Sequence, residues 1–185
     1  EEAICGNGAA EVIFTLCHAV KPKRALIPAP TFAEYGQALA STGCELEYYM
    51  LTENDGFVLS EAYLDILHKG LDMAFLCNPN NPTGMLIPHR LLKRILEKCR
   101  KLDILLVVDE CFLDFVKEPE EYSLKRSLSG FNNLFILKAF TKRYAMAGVR
   151  LGYGLCSDRK LLERMELCVQ PWNVSTMAQA AGLQA

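Results

Sequence analysis

The chain has 185 residues, 51% of them apolar and 23% charged, with a net charge of −2; this is ordinary globular usage, enough for one hydrophobic core and up to about one and a half domains. The near-neutral balance argues against a nucleic-acid or anionic-membrane partner, and no apolar run reaches the length of a membrane span. The acidic start Glu1-Glu2 is the reverse of a signal peptide's basic one, and the missing initiator Met leaves room for a longer parent protein.

Apolar runs alternate with amphipathic stretches. Glu11 to Val20 places Ile13, Leu16, Cys17 and Val20 on one helical face. Ala25 to Ile27 is a short apolar run that ends at Pro28 and Pro30. Thr31 to Ser41 reads as a helix capped by Thr31, Glu45 to Met50 as a strand, and Ser60 to Leu67 as a capped helix. Met73 to Cys77 is apolar and runs into Asn78-Pro79-Asn80-Asn81-Pro82-Thr83-Gly84. Pro88 to Cys99 is a helix with Pro in its first turn. Ile104 to Val108, Leu134 to Leu137 and Leu151 to Leu155 are further strand candidates, and Asp158 to Cys168 is a last helix.

Strands alternating with helices imply crossover connections and a mainly parallel sheet covered on both faces. The unalternating run Ile104 to Val108 suits a central strand buried on both sides. Ligands of such sheets sit beyond the carboxyl ends of the strands, so polar residues just after apolar runs are the first candidates for chemistry. The eight cysteines are scattered, with no C-x-x-C and no His at ligand spacing, so neither a metal site nor a disulfide framework is expected. They read as free, mostly buried thiols in a reducing cytoplasm. His18, His68 and His89 are equally dispersed and read as surface or capping residues.

Four features fall after apolar runs. Gly6-Asn7-Gly8-Ala9-Ala10-Glu11 opens a helix, where small residues let backbone N–H groups approach an anion. Taken alone it is equally a tight turn. It is not a dinucleotide fingerprint, because Glu11 replaces the third Gly and the strand before Gly6 is barely present. The loop Asn78 to Gly84 is rigid, with two prolines and a Gly, and can hold the Asn81 amide in fixed geometry over a ligand; by itself it is bare turn chemistry. Asp109 is the first charge after a buried run, where a carboxylate needs a cation; the plain alternative is a cap on the next helix. In Thr141 to Tyr153, Lys142 closely follows an apolar run, and a lysine in a partly desolvated site is a nucleophile toward an aldehyde. Arg150 offers a planar fork to a phosphate. The alternative there is a basic, solvated segment.

Together the four supply a lysine for an aldehyde, an acid for a ring nitrogen, and a helix start plus arginine for a phosphate, as pyridoxal 5′-phosphate (PLP) requires. In order, G-N-G-A-A-E, P-T-F, N-P-N-N-P-T-G, V-V-D-E and T-K-x-Y-x-x-x-G-x-R-x-G-Y resemble the fold-type I PLP enzymes of the class I/II aminotransferase superfamily. Within it the chain looks nearest to the L-threonine-O-3-phosphate decarboxylases and histidinol-phosphate aminotransferases. The resemblance runs from Gly6 to the Pro171-Trp172-Asn173-Val174 segment.

The resemblance implies a three-layer α/β large domain over residues 1–185, with the small domain largely missing. It implies that Lys142 bonds the cofactor aldehyde and later shuttles the substrate proton, and that Asp109 pairs with the pyridinium nitrogen. Asn81 would bond the ring's 3-oxygen and Phe32 would stack on the ring, with Tyr35 a weaker candidate. Ala9 and Ala10 would offer N–H groups to the phosphate, helped by Thr141 and Arg150. No metal is implied. The implied substrate is a small amino acid, a phosphorylated one among the candidates, and the implied protein is a cytoplasmic homodimer. Many aminotransferases of the family carry Tyr three residues after the aspartate, whereas this chain has Phe112. Phosphothreonine decarboxylases resemble it in having Phe there and in Thr-Lys-x-Tyr-Ala, which favours decarboxylation over transamination. Relatives are about twice this length, and the arginine that usually binds the substrate carboxylate lies outside this chain. A non-catalytic PLP-fold binding module is the rival of another class, and a basic DNA-binding region that would support it is absent.

Overall fold

The computed structural model describes residues 2–185. In chain order its elements are β1 (Glu2–Gly6), α1 (Ala9–Val20), β2 (Arg24–Ala29), α2 (Ala33–Ala40), β3 (Glu45–Met50), α3 (Tyr63–Ile66), β4 (Met73–Cys77), α4 (His89–Leu102) and β5 (Leu105–Asp109). There follow β6 (Leu134–Ala139), α5 (Phe140–Arg143), β7 (Gly152–Cys156), α6 (Arg159–Glu166) and α7 (Thr176–Gln184), with short 3-10 turns between. The strands form one sheet in the order β1-β7-β6-β5-β4-β2-β3. The pairings from β3 through β2, β4 and β5 to β6 are parallel. β7 and β1 join antiparallel at the far edge.

Helices cover both faces, giving the three-layer α/β architecture expected. On one face α1, α2 and α6 bury Ile13, Leu16, Leu39 and Leu162 against Met73, Phe75, Val107 and Phe135. On the other, α3 and α4 bury Tyr63, Leu92, Ile95 and Leu96 against Ala74, Leu76, Leu106, Val108 and Ile136. Successive strand side chains point to opposite faces, so a strand covered twice is apolar at every position, as β4 is. Phe135 is fully buried, and a Cβ at Gly154 would collide with its ring. Truncating such a ring to Ala costs about 3–5 kcal/mol.

Several elements differ from the sequence expectation. The strand before Gly6 is fully formed, pairing from Glu2↔Cys156 to Gly6↔Gly152. It buries only alternate residues, Ile4 and Gly6, so it carries no continuous apolar run to announce it. Thr31 does not cap α2, which starts at Ala33 after Phe32 without a side-chain cap. Its hydroxyl instead donates to Asn80 Oδ1 at 2.7 Å, because a tertiary partner outcompetes the local one. The helix expected over 60–67 shrinks to the four residues of α3, ended by Leu67 in extended conformation. α4 runs on to Leu102, where Asp103 closes it in the left-handed conformation at φ 61°. α7 was not legible at all: it buries only Ala178 and so has no apolar stripe.

Candidate active site

The register of the central strands fixes the floor of a cavity at the sheet's carboxyl end. Cys77 at the end of β4 lies opposite Asp109 at the end of β5, which lies opposite Leu137 of β6. Asp109 shares strand parity with Val107 and therefore faces the α1/α2 side, where it is 5% exposed. The next residue, Glu110, turns to the opposite side of the sheet and accepts from the Ser123 hydroxyl and the Leu124 N–H. Parity alone thus sends one of two adjacent carboxylates into the cavity.

The Asp109 carboxylate has one donor on each oxygen. The Tyr35 hydroxyl donates to Oδ2 at 2.6 Å, and the Cys111 N–H donates to Oδ1 at 2.9 Å. Among the described residues no Lys, Arg or His pairs with it. Its effect on its neighbours is clear. Burial first, then the Asp109 charge, pushes the Cys77 thiol up to about 12, and the same two causes raise Tyr35 and Cys111 well above their usual values. All three stay neutral beside the Asp109 carboxyl group. Asp109 does not cap a following helix; the Cys111 contact closes the turn that starts the next loop.

The start of α1 forms one wall. No side chain caps this helix, and Gly8 precedes it at φ 86°. Glu11 Oε2 accepts from the Asn7 N–H at 2.7 Å and from Asn173 Nδ2 at 2.8 Å, tying the turn to the segment before α7. A Cβ at Gly8 would sit 2.5 Å from Arg150 Nη2, so the guanidinium packs against the glycine. A Cβ at Gly152 would overlap the Ala9 nitrogen and lie 2.6 Å from the Gly8 carbonyl carbon. Both glycines are required by close approach. Arg150 itself is in the left-handed region at φ 59° and pairs with no carboxylate among the described residues. An uncapped helix start beside an unpaired guanidinium is an anion cradle.

The remaining walls come from two loops and α5. Thr31 Oγ1 bonds Asn80 Oδ1, and Asn80 Nδ2 donates to the Pro30 carbonyl at 3.1 Å and to Thr83 Oγ1 at 2.9 Å. This knot joins the loop bearing Phe32 to the loop bearing Asn81. α5 carries Thr141 and Lys142 directly off the end of β6. Lys142 is exposed, contrary to the partly desolvated place expected, because α5 lies on the rim of the sheet. Its ammonium lies 4.9 Å from the centroid of the Phe112 ring and makes no ion pair among the described residues. Lys138, in β6, faces the other side of the sheet and pairs with Asp114 at 3.3 Å.

Ala9, Ala10, Phe32, Asn81, Asp109, Thr141, Lys142 and Arg150, all singled out from the sequence, line this one cavity. Tyr35, the weaker candidate, does not: it lies fully buried behind Asp109. Cys77, Cys111, Phe112 and Ala139 complete the lining. The cysteines carried no motif of their own, and only their adjacency to Asp109 in sequence or register places them. Six of the eight cysteines are buried and none is in a disulfide, and no cluster among the described residues could hold a metal.

The cavity fits the cofactor that the resemblance implies. A buried carboxylate without a cation suits a protonated ring nitrogen; the cradle at Gly8 and Arg150 suits a phosphate; an exposed lysine on the rim between them suits an aldehyde.

Comparison with known proteins agrees. The family model for aminotransferases of class I and II matches residues 1–185. The chain is 44% identical over 97% of its length to a threonine-phosphate decarboxylase of Salmonella typhimurium, covering 49% of that protein. It is 32% identical over its whole length to a histidinol-phosphate aminotransferase of Anoxybacillus flavithermus, again covering 49%. The chain thus spans about half the length of the curated relatives it matches. Among solved structures, the L-threonine-O-3-phosphate decarboxylase of Porphyromonas gingivalis superposes with a TM-score of 0.83 at 27% identity, over 98% of this chain and 52% of that one. The histidinol-phosphate aminotransferase of Clostridium acetobutylicum gives 0.88 at 27% identity, over 98% and 53%. On its match, its relatives and its site residues, the chain belongs to the class I and II aminotransferases, a family of PLP-dependent enzymes.

Proposed function

We propose that residues 1–185 are the cofactor-binding large domain of an enzyme that acts at the α-carbon of an amino acid, and that the reaction is decarboxylation of a phosphorylated amino acid of the phosphothreonine kind. The observation that carries the reading is Asp109, a buried carboxylate without a cation, at the floor of a cavity whose rim holds Lys142 and Arg150.

When bound, PLP supplies an electron sink for the pair left when a bond to the α-carbon breaks. The chain's residues then have separate tasks. Asp109 would keep a proton on the ring nitrogen. The Asn81 amide would donate to the 3-oxygen, and Phe32 would cover one ring face. The N–H groups of Ala9 and Ala10, the Thr141 hydroxyl and the Arg150 guanidinium would hold the phosphate. Lys142 Nζ would hold the aldehyde and, as a general acid, would deliver a proton to the α-carbon. In decarboxylation the α-carbon–carboxylate bond breaks, carbon dioxide leaves, and that proton takes its place.

Two resemblances favour this branch: Phe112 stands where phosphothreonine decarboxylases carry Phe, and the Salmonella relative at 44% identity is a threonine-phosphate decarboxylase. Transamination of the histidinol-phosphate type is the second reading, favoured by the relatives at 32% identity. We place the full-length protein in the cytoplasm as a homodimer on the resemblance alone. Full-length protein incubated with phosphothreonine is expected to release carbon dioxide and aminopropanol phosphate without any oxo-acid. A requirement for 2-oxoglutarate, with glutamate formed, would replace decarboxylation by transamination. Failure to develop visible absorbance with PLP would remove the enzyme reading altogether.

A further inference from the structure

Tyr35 was expected at most to stack on the cofactor. Its surroundings point elsewhere. It is 0% exposed, its ring stacks on Phe75 at 4.9 Å between centroids, and it meets Phe32 edge-on at 5.5 Å. Its hydroxyl donates to Asp109 Oδ2 at 2.6 Å. The residue is therefore locked in a packed core and spans two members of the cavity lining, the Phe32 ring and the Asp109 carboxylate.

The second carboxylate oxygen is held by a backbone N–H, that of Cys111, which no side-chain change removes. Tyr35 is thus the one side-chain hydroxyl bonded to Asp109 among the described residues, with the weakly donating Cys111 thiol beside the same carboxylate. A hydroxyl donating to a carboxylate stabilises its charged form over its protonated form. A ring nitrogen facing Asp109 shares one proton with it, either as pyridinium and carboxylate or as pyridine and carboxylic acid. A donor on the carboxylate favours the first arrangement. Burial raises the Tyr35 hydroxyl well above its usual value, so it remains a donor across the physiological range.

We infer that Tyr35 is a positioning residue that acts through Asp109 to keep the shared proton on the cofactor's ring nitrogen. The inference rests on the PLP reading above, and the test separates the two. Full-length wild-type protein and Tyr35→Phe would be loaded with PLP carrying nitrogen-15 in the ring, and the nitrogen chemical shift recorded. The wild type is expected at the pyridinium position. Tyr35→Phe should move toward the neutral-pyridine position, because losing a hydrogen bond to a charged group changes the proton-sharing ratio by about ten- to a hundredfold. A second pair, Asp109→Asn with and without Tyr35→Phe, should show no difference, since the route through the carboxylate is already cut.

An unshifted pyridinium signal in Tyr35→Phe overturns the inference and leaves the PLP reading intact. A shift that persists in the Asp109→Asn background also overturns it, because the effect would then come from packing. A wild-type signal at the neutral position would fault the role given to Asp109 itself. Should Tyr35→Phe fail to fold, Phe75→Leu, which loosens the tyrosine while keeping its hydroxyl, should give a smaller displacement in the same direction, and none would overturn the inference.

Discussion

The floor of the cavity and its rim are built on opposite principles. The floor is core. Asp109, Cys77, Asn78 and Asn80 are buried, and Asp109 is bonded by Tyr35 and the Cys111 N–H. The rim from Phe140 to Arg150 is surface. Lys142, Arg143, Tyr144 and Ala145 are exposed, and Ala145 and Arg150 stand in left-handed backbone at φ 53° and 59°. Such conformations are disfavoured for residues with a side chain by about 1–2 kcal/mol each. Under the proposed function the contrast is a division of labour: the groups that would tune a bound ring are immobilised by packing, while the group that would make and break a bond sits where it can move. Variants of the floor should therefore disturb stability and electrostatics together, and variants of the rim should disturb chemistry alone.

The sharpest test is Lys142→Ala. An exposed side chain with no ion pair is within about 0.5 kcal/mol of neutral for stability, so the unfolding midpoint should hardly move. Turnover by full-length protein should fall by at least the general acid–base contribution of about 10²- to 10⁴-fold. Borohydride reduction of the PLP-loaded protein followed by peptide mapping should mark Lys142. Labelling at Lys138, on the other face with Asp114, would move the chemistry to the wrong side of the sheet and break the comparison.

Asp109→Ala probes the floor. In the proposed role it would remove the partner of a protonated ring nitrogen, and turnover should fall by roughly 10²- to 10³-fold, equivalent to about 3–4 kcal/mol of lost transition-state stabilisation. The covalent link to Lys142 should survive, visible as retained absorbance after gel filtration. Near-normal turnover would mean that no ring nitrogen faces this carboxylate.

Gly152→Ala tests the join between floor and rim. The added Cβ would meet backbone, the Ala9 nitrogen and the Gly8 carbonyl carbon, neither of which can rotate away. Overpacking of this kind costs about 1–3 kcal/mol, and it displaces the helix start that the phosphate would use. Denaturant unfolding and a PLP titration should both weaken. Lost stability with unchanged PLP affinity would separate the α1 start from the cofactor.

Legibility in the sequence follows the same division. The central strands could be read because burial on both faces leaves unbroken apolar runs, and Asp109 stood out as the first charge after one of them. The order of motifs brought Lys142, Asn81 and Arg150 to attention without any structure. What stayed hidden depends on partners distant in sequence. Tyr35 meets Asp109 across 74 residues. Thr31 turns away from its own helix to Asn80, 49 residues on. β1 joins the sheet on the edge that β7 offers, with Glu2 opposite Cys156. The closeness of Gly152 to the Gly8–Ala9 backbone leaves no trace except the glycine itself.

Phe112→Tyr should have the smallest effect, and it reads the surroundings of the cofactor's 3-oxygen. The Phe112 ring lies on the floor side of the gap, and the Lys142 ammonium approaches its face from the rim. A hydroxyl added there could donate to the 3-oxygen beside the cofactor–lysine linkage. That oxygen's negative charge helps to hold the linkage proton. Sharing the charge with a new donor loosens the hold, so the linkage should lose its proton at lower pH. A hydrogen bond to a charged group is worth about 1.5–3 kcal/mol, which moves the midpoint of the absorbance titration down by about one to two pH units. Stability should change little, because Phe112 is half-buried at the cavity edge. The branch itself should not switch, since bond choice depends on which α-carbon bond the protein holds perpendicular to the ring, and one hydroxyl at the 3-oxygen does not set that. An unchanged midpoint would remove Phe112 from the vicinity of the 3-oxygen. A gain of oxo-acid-dependent turnover would give this single position a control over the branch that its geometry does not support.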